Sequence, residues 1–173
     1  MTDKQKSILN SALKLFADKG FDAVSTSLIA KEANVSEGLI FRHFANKQGL
    51  LDAIMDLGNV QLEEMLNEIK QIEAPESRIQ AVLEAPFFIP EDTYPFWRLM
   101  YALKWREELG EKKQDDQLKG ILVESFKQLN YLDPDAEADL VLAYVDGFAT
   151  TILVKGHLID KERLLKTVRT KYK

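Results

Sequence analysis

Cysteine is absent from the chain, and no apolar run approaches the roughly 18 residues that a membrane-spanning helix requires. Without cysteine, disulfides and thiolate metal sites are both excluded. Residues 1–6 also lack the apolar segment of a signal peptide. These absences predict a cytoplasmic protein with no membrane partner. With 173 residues, of which 46% are apolar, the chain is long enough to bury the core of one or two small domains.

Signals of catalysis are also scarce. The only two histidines, His43 and His157, lie far apart in the sequence, and there is neither a phosphate-binding glycine loop nor a metal-ligand spacing. His157 follows a predicted helix, where a cationic side chain favours the C-terminus. We therefore expect no enzymatic activity, no metal and no cofactor.

Charge is unevenly distributed along the chain. The formal net charge is −5, but residues 1–50 carry +2 and the remainder −7. A mildly basic N-terminal region followed by an acidic remainder is typical of a protein that binds a polyanion through its N-terminal region. The overall acidity argues against a protein that coats DNA without sequence preference.

The strict alternation of apolar and polar residues that marks a half-buried strand is missing, and helix formers dominate. The sequence predicts an all-α fold of about nine helices. Predicted helices cover residues 3–19, 37–44, 47–72, 94–109, 135–156 and 160–172, and a short helix begins near Ser25.

Turn and cap residues predict a helix-turn-helix near the N-terminus. Gly20 can adopt the left-handed conformation that ends the first helix, and Phe21 can then fold back onto its last turn. Ser25 and Ser36 are good N-caps for the second and third helices, and Asn34 suits the turn between them. Two short helices joined by a tight turn form this motif.

Residues 8–50 resemble the N-terminal domain of the TetR (tetracycline-repressor) family of regulators. The matching elements are Ile8-x3-Ala12-x2-Leu15-Phe16-x3-Gly20-Phe21, Ile29-Ala30-x2-Ala33-x-Val35-Ser36 and Gly38-x2-Phe41-x-His43-Phe44-x2-Lys47-x2-Leu50. The resemblance implies a DNA-binding domain at residues 1–46, followed by a helical effector-binding and dimerisation domain at residues 47–173.

The resemblance also implies that residues 37–44 form a recognition helix in the major groove of double-stranded DNA. Gly38 has no Cβ and lets the backbone approach DNA, while Lys47 begins the next helix, where charge and helix dipole both attract phosphate. The expected DNA-binding residues are Ser25, Thr26, Ser27, Ser36, Glu37, Gly38, Leu39, Phe41, Arg42, His43 and Lys47.

Several of these residues have a simpler interpretation. Arg42 and His43 could be solvated side chains, Glu37 a carboxylate favoured at a helix start, and Ser36 a cap alone. Two positions depart from the family pattern. Phe41 replaces a usual tyrosine and loses its phosphate hydrogen bond, and Leu39 stands where a smaller or polar residue is common, so it could contact a thymine methyl.

The most aromatic part of the chain surrounds residues 87–105. Ordinary core explains aromatic residues at helical spacing, and an apolar pocket for an unknown small-molecule effector is the functional alternative. The candidate pocket residues are Phe87, Phe88, Phe96, Trp97, Met100, Tyr101 and Trp105.

The predicted helix at residues 135–156, which precedes the last one, carries a stripe of small residues flanked by larger apolar ones. Core packing explains part of this pattern, but the resemblance implies a two-fold homodimer interface built from four helices. The expected interface residues are Leu140, Ala143, Tyr144, Gly147, Phe148, Thr151, Leu164 and Val168.

Together these features predict a ligand-responsive transcriptional regulator, and more specifically a repressor. A dimer would read a pseudo-palindromic operator, and a largely apolar effector that favours mis-spaced recognition helices would weaken DNA binding. The alternatives are a helical ligand-binding protein without sequence-specific DNA binding, and a non-specific DNA-binding protein.

Overall fold

A computed structural model describes residues 1–104, 112–155 and 158–171, with the backbone alone at residues 112–115. Within these ranges the chain forms α-helices and no strand, which confirms the all-α prediction. The helices are α1 Asp3–Lys19, α2 Thr26–Glu32, α3 Glu37–Phe44, α4 Lys47–Gln71, α5 Pro75–Glu84, α6 Tyr94–Leu103, α7 Lys112–Gln128, α8 Pro134–Lys155 and α9 Lys161–Val168. No helix of the described chain combines the length and apolarity that a membrane crossing requires.

Local chemistry explains the ends of α1. The Thr2 hydroxyl accepts a hydrogen bond from the Gln5 amide, and the Gln5 side chain accepts one from the Thr2 amide, which forms a capping box. At the other end, Gly20 has the positive φ of 81° that favours glycine, but its ψ of 150° lies outside the left-handed helical conformation that the sequence predicted. The Phe21 ring then folds back to 5.1 Å from the Phe16 ring. The predicted limits of α1 are therefore confirmed.

The chain divides into two compact units, and the division falls within α4, after Glu63. The first unit contains residues 1–63 together with α6, and the second contains residues 64–91 and the described residues from 112 onward. The expected domain boundary after residue 46 stays a prediction, whereas this division groups the first half of α4 and the whole of α6 with α1, α2 and α3.

The core of the first unit is formed by α1, α2, α3, α4 and α6. α6 packs against α1, and its residues Phe96, Leu99, Met100 and Leu103 are buried. The Phe96 ring also lies against α4 at Gly58, where even a methyl group would overlap the ring. Elsewhere the core contains the completely buried side chains of Ile8, Ala12, Ile29, Ile40 and Leu50.

The core of the second unit joins the end of α4 to α5, α7, α8 and α9. Its central side chains are Leu66, Ile69, Ile79, Val82, Leu83, Ile121, Leu122, Phe126, Ala138, Val141 and Val168. Arg78 stabilises the end of α4, since its guanidinium donates two hydrogen bonds to the Ile72 carbonyl oxygen and one to the Ser125 hydroxyl. Glu84 and Arg169 connect α5 to the residue that follows α9 through two hydrogen bonds of 2.8 and 3.1 Å.

Candidate nucleic-acid interface

A helix-turn-helix is formed by α2, α3 and the turn between them. Ser25 caps α2, since its hydroxyl accepts a hydrogen bond of 3.2 Å from the Leu28 amide. The chain then reverses at Asn34, which has φ of 53°, and the Val35 amide donates to the Ala30 carbonyl oxygen at 3.0 Å. The left-handed turn predicted at Asn34 is confirmed, and it brings α3 into contact with α2.

One side of α3 is held in the core and the other faces solvent. Ile40 is completely buried, whereas Gly38 and Arg42 are exposed on the opposite side of the helix. A side chain at Gly38 would meet no atom within 4 Å. Phe41, on the adjacent side, is 50% exposed, which is unusual for an aromatic residue in a folded domain. The chain therefore presents a mixed polar and apolar surface along α3.

Ser36 does not cap α3 as the sequence suggested. Its backbone has the extended N-cap conformation, with φ of −74° and ψ of 143°, but its side chain makes no capping hydrogen bond. The residue is exposed, so its hydroxyl faces solvent beside the amides at the helix start. Those amides and the hydroxyl together form a suitable site for a phosphate oxygen.

Hydrogen bonds connect several of the expected DNA-binding side chains with one another. The Thr26 hydroxyl donates to Glu37 Oε1 at 2.6 Å, which joins the start of α2 to the start of α3. The hydroxyls of Ser25 and Ser27 lie 2.9 Å apart, in hydrogen-bond contact at the exposed start of α2. The structure therefore brings the residues at both helix starts onto one surface.

His43 and Lys47 have partners that sequence reasoning missed. The Gln5 side-chain amide lies 3.3 Å from His43 Nδ1, so α1 contributes a polar group beside α3. Lys47 Nζ donates to the Phe21 carbonyl oxygen at 3.0 Å and lies 3.4 Å from that of Asp22. The capping box at Thr2 was the one sequence signal that could have drawn attention to Gln5.

The expected pocket residues are divided between the two units. Phe96 and Met100 are buried in the first unit, while Trp97 and Tyr101 are half-buried there. In the second unit the Phe87 ring lies 5.1 Å from the Phe148 ring, and Phe88 is 62% exposed. Trp105 lies outside the described residues, as does His157.

The expected interface residues separate into an outer and an inner set. Leu140 and Tyr144 are 53% and 38% exposed, and Ala143 and Gly147 are exposed beside them on α8. The inner set is half-buried or buried within its own unit, and it consists of Phe148, Thr151, Leu164 and Val168. Val168 is only 6% exposed and belongs to the core, so it offers little surface to a second chain.

Residues 8–54 match the family model described as bacterial regulatory proteins, tetR family. The HTH-type transcriptional regulator YvkB of Bacillus subtilis is 49% identical over 55 residues, which cover 32% of this chain and 29% of that protein. An HTH-type transcriptional repressor of Mycobacterium tuberculosis is 38% identical over 77 residues, 44% of this chain and 39% of the repressor. The chain thus aligns with less than half the length of either relative.

The solved structure of AibR in complex with isovaleryl coenzyme A and operator DNA superimposes with a TM-score of 0.76 and covers 98% of each chain. At a sequence identity of 22%, this superposition shows a shared fold. The family match begins within α1 and covers α2, α3 and the start of α4, and the exposed surface of α3 lies in this segment. Residues 8–54 of this chain are therefore similar to the tetR family of bacterial regulatory proteins.

Proposed function

We propose that this chain is a transcriptional regulator that binds a pseudo-palindromic operator as a homodimer, responds to a small ligand and acts in the cytoplasm. One observation carries the proposal: α3 is anchored by the buried Ile40 and exposes Gly38 and Arg42 on its opposite side. Helix-turn-helix proteins present their second helix to the major groove in this way. The net charge of +2 on residues 1–50 supports an approach to DNA.

Dimerisation is supported by the apolar surface of α8. Leu140, Tyr144 and Val154 are all large apolar residues at least 38% exposed, and contiguous exposure of this kind is typical of an interaction surface. The exposed Ala143 and Gly147 lie between them and permit close approach of a second helix. A two-fold pair of such surfaces is self-complementary, so the proposed partner is a second copy of the chain.

The proposed effector is small and largely apolar, and α6 is the element through which it acts. α6 packs against α1, and its Phe96 ring lies against Gly58 of α4. A ligand that displaces α6 would therefore shift two helices that support the recognition helix. It weakens DNA binding only if it binds better to the displaced conformation.

Repression is the proposed outcome, in keeping with the name of the Mycobacterium tuberculosis relative. AibR shares this fold and was solved with isovaleryl coenzyme A. Acyl-coenzyme A thioesters are therefore the first compounds to screen, and the acyl chain would be the apolar part of the effector, while the coenzyme A part is charged. The screen adds each thioester to the protein–operator complex and measures DNA release. A compound that releases operator DNA at micromolar concentration, and does not release DNA from an unrelated repressor, identifies the effector class.

DNA recognition is tested by selecting binding sites from random duplex DNA at fixed salt, with the wild-type chain and with Gly38→Glu. The new side chain has space in the free protein but places bulk and negative charge in the groove. We expect the wild type to enrich a pseudo-palindrome and the variant to enrich none. Gly120→Glu is the matched control, because Gly120 is also an exposed helical glycine with no atom near its Cβ position.

Each alternative has its own outcome in this experiment. A folded, ligand-stripped wild-type chain that binds no DNA would be a helical ligand-binding protein. Equal affinity for every DNA sequence would identify a non-specific DNA-binding protein. If Gly38→Glu enriches the same site as the wild type, α3 does not enter the groove as proposed.

A further inference from the structure

The hydrogen bond between Thr26 and Glu37 engages only one of the two carboxylate oxygens of Glu37. Thr26 Oγ1 donates to Glu37 Oε1 at 2.6 Å, a short bond of the kind that charged acceptors form. Glu37 is half-buried, and no described residue donates a hydrogen bond to its second oxygen, Oε2. The bond restricts the rotation of the Glu37 side chain at the start of the recognition helix.

An acidic side chain at a DNA-facing position is unfavourable unless DNA supplies a donor. The phosphates repel the carboxylate, and closing the groove over Oε2 removes the water that solvates it. In the major groove the only base-edge donors are the adenine N6 and cytosine N4 amino groups. Adenine presents its N7 acceptor beside N6, and that lone pair repels a carboxylate. Cytosine presents a C5–H group where adenine presents N7, so it is the base that satisfies Glu37.

We infer that Glu37 reads a cytosine in each operator half-site and that Thr26 is the positioning residue that orients its carboxylate. The inference rests on the proposed DNA binding and specifies one of its base contacts. The simpler interpretation is that the bond only braces α2 against α3. In that case the hydrogen bond would stabilise the fold, but removing the charge of Glu37 would leave the preferred bases of the operator unchanged.

The two interpretations are separated by Glu37→Gln. The glutamine carbonyl oxygen still accepts from Thr26, so the brace is retained, but the free end of the side chain becomes an amide donor. An amide donor cannot accept a hydrogen bond from cytosine N4. In site selection we expect the wild type to enrich cytosine at one position of each half-site and Glu37→Gln to lose that preference for cytosine. Substituting the wild-type cytosine should weaken wild-type binding by about tenfold to a hundredfold.

The role of Thr26 is tested with a matched pair of variants. Thr26→Val keeps the shape and removes the donor, whereas Thr26→Ser keeps the donor. We expect Thr26→Val to reduce the discrimination between the cytosine site and its substituted versions at least threefold, and Thr26→Ser to retain it. A phosphate contact by Thr26 would instead lower the affinity for all sites equally, and thermal unfolding of each variant verifies that it is folded.

The outcomes separate this inference from the proposed function. An enriched pseudo-palindrome whose bases are the same for the wild type and Glu37→Gln overturns the cytosine contact and leaves DNA recognition intact. If the wild type enriches no site at all, the proposed function fails and the inference fails with it. Loss of discrimination in both Thr26 variants overturns the positioning role of Thr26.

Discussion

Lys47 places its ammonium nitrogen 3.0 Å from the carbonyl oxygen of Phe21 and 4.5 Å from the centre of the same residue's ring. The start of α4 is thereby tied to the turn that follows α1. The ammonium has three N–H donors, and the carbonyls of Phe21 and Asp22 occupy up to two of them. Lys47 therefore supports the turn while one donor remains for the phosphate contact predicted from the sequence.

Replacing Lys47 with alanine should lower the free energy of unfolding by about 1 to 3 kcal/mol, because the charged hydrogen bonds and the contact with the Phe21 ring are lost. Urea denaturation measures the change. Lys14→Ala, at an exposed position of α1, is the control and should change stability by less than about 0.5 kcal/mol. Equal unfolding midpoints for the two variants would contradict the support role. Loss of one phosphate contact should also lower the slope of log affinity against log salt by about 0.9.

Gly58→Ala and Gly120→Ala should change stability in opposite directions. Alanine is favoured over glycine inside a helix by about 1 kcal/mol, so Gly120→Ala, with open space around its Cβ, should be more stable. At Gly58 the added methyl overlaps the Phe96 ring, and we expect a net loss of about 1 to 3 kcal/mol from overpacking. Thermal unfolding of both variants tests this. A stabilised Gly58→Ala would mean that α6 does not press on α4.

Gly147→Glu should convert the proposed dimer into a monomer at micromolar concentration. The position is exposed on α8 with no atom of its own chain near its Cβ, so the change is tolerated within a protomer. Across a two-fold interface, however, it would bring two buried carboxylates close together. Sedimentation velocity measures the mass, and Gly120→Glu serves as the control that should remain dimeric. A dimeric Gly147→Glu would place the interface elsewhere.

The pair of Glu84 and Arg169 should make stability depend on pH in the acidic range. The hydrogen bond from Arg169 is the main cause that lowers the pKa of Glu84 below its ordinary value of about 4.5, and burial partly opposes this shift. A carboxyl with a lowered folded-state pKa stabilises the protein above its unfolded-state pKa, and this stabilisation is lost as the pH falls through the lower, folded-state value.

We therefore expect Glu84→Gln to unfold at lower temperature than the wild type at pH 7, and the difference to shrink as the pH falls below about 4.5. Melting curves between pH 3 and pH 7 measure it. Glu63→Gln, at an exposed position in the middle of α4, should unfold at the same temperature as the wild type at every pH. A difference between Glu84→Gln and wild type that persists unchanged at pH 3 would show that the pair does not stabilise through its charge.

Local signals were enough to locate the helix-turn-helix. Cap residues and turn residues act over three or four positions, so the ends of α1 and α3 and the left-handed turn at Asn34 could be predicted within a residue. The same reasoning failed at Ser36, whose side chain makes no capping hydrogen bond. It also did not predict the positive φ of 63° at Ala45, which links α3 to α4 in a conformation that alanine rarely adopts.

Contacts between residues far apart in the sequence could not be predicted from local cap and turn signals. Periodicity marks which side of a helix is apolar, but it does not say which helix covers that side. The aromatic residues from Phe87 to Tyr101 form one cluster in the sequence, yet Phe87 packs with Phe148 while Phe96 packs with Gly58. Likewise Val168 shares the apolar pattern of the expected interface but is buried in the core of its own unit.

The sequence by itself determined the all-α fold class and the position of α3 within the helix-turn-helix, because helix formation and capping depend on neighbours within one or two turns. Only the tertiary structure decided that α6 packs against α1, that Thr26 donates a hydrogen bond to Glu37 and that Lys47 donates one to the Phe21 carbonyl oxygen. Those contacts join residues 11 to about 90 positions apart, and burial of shared apolar surface, rather than any local preference, brings them together.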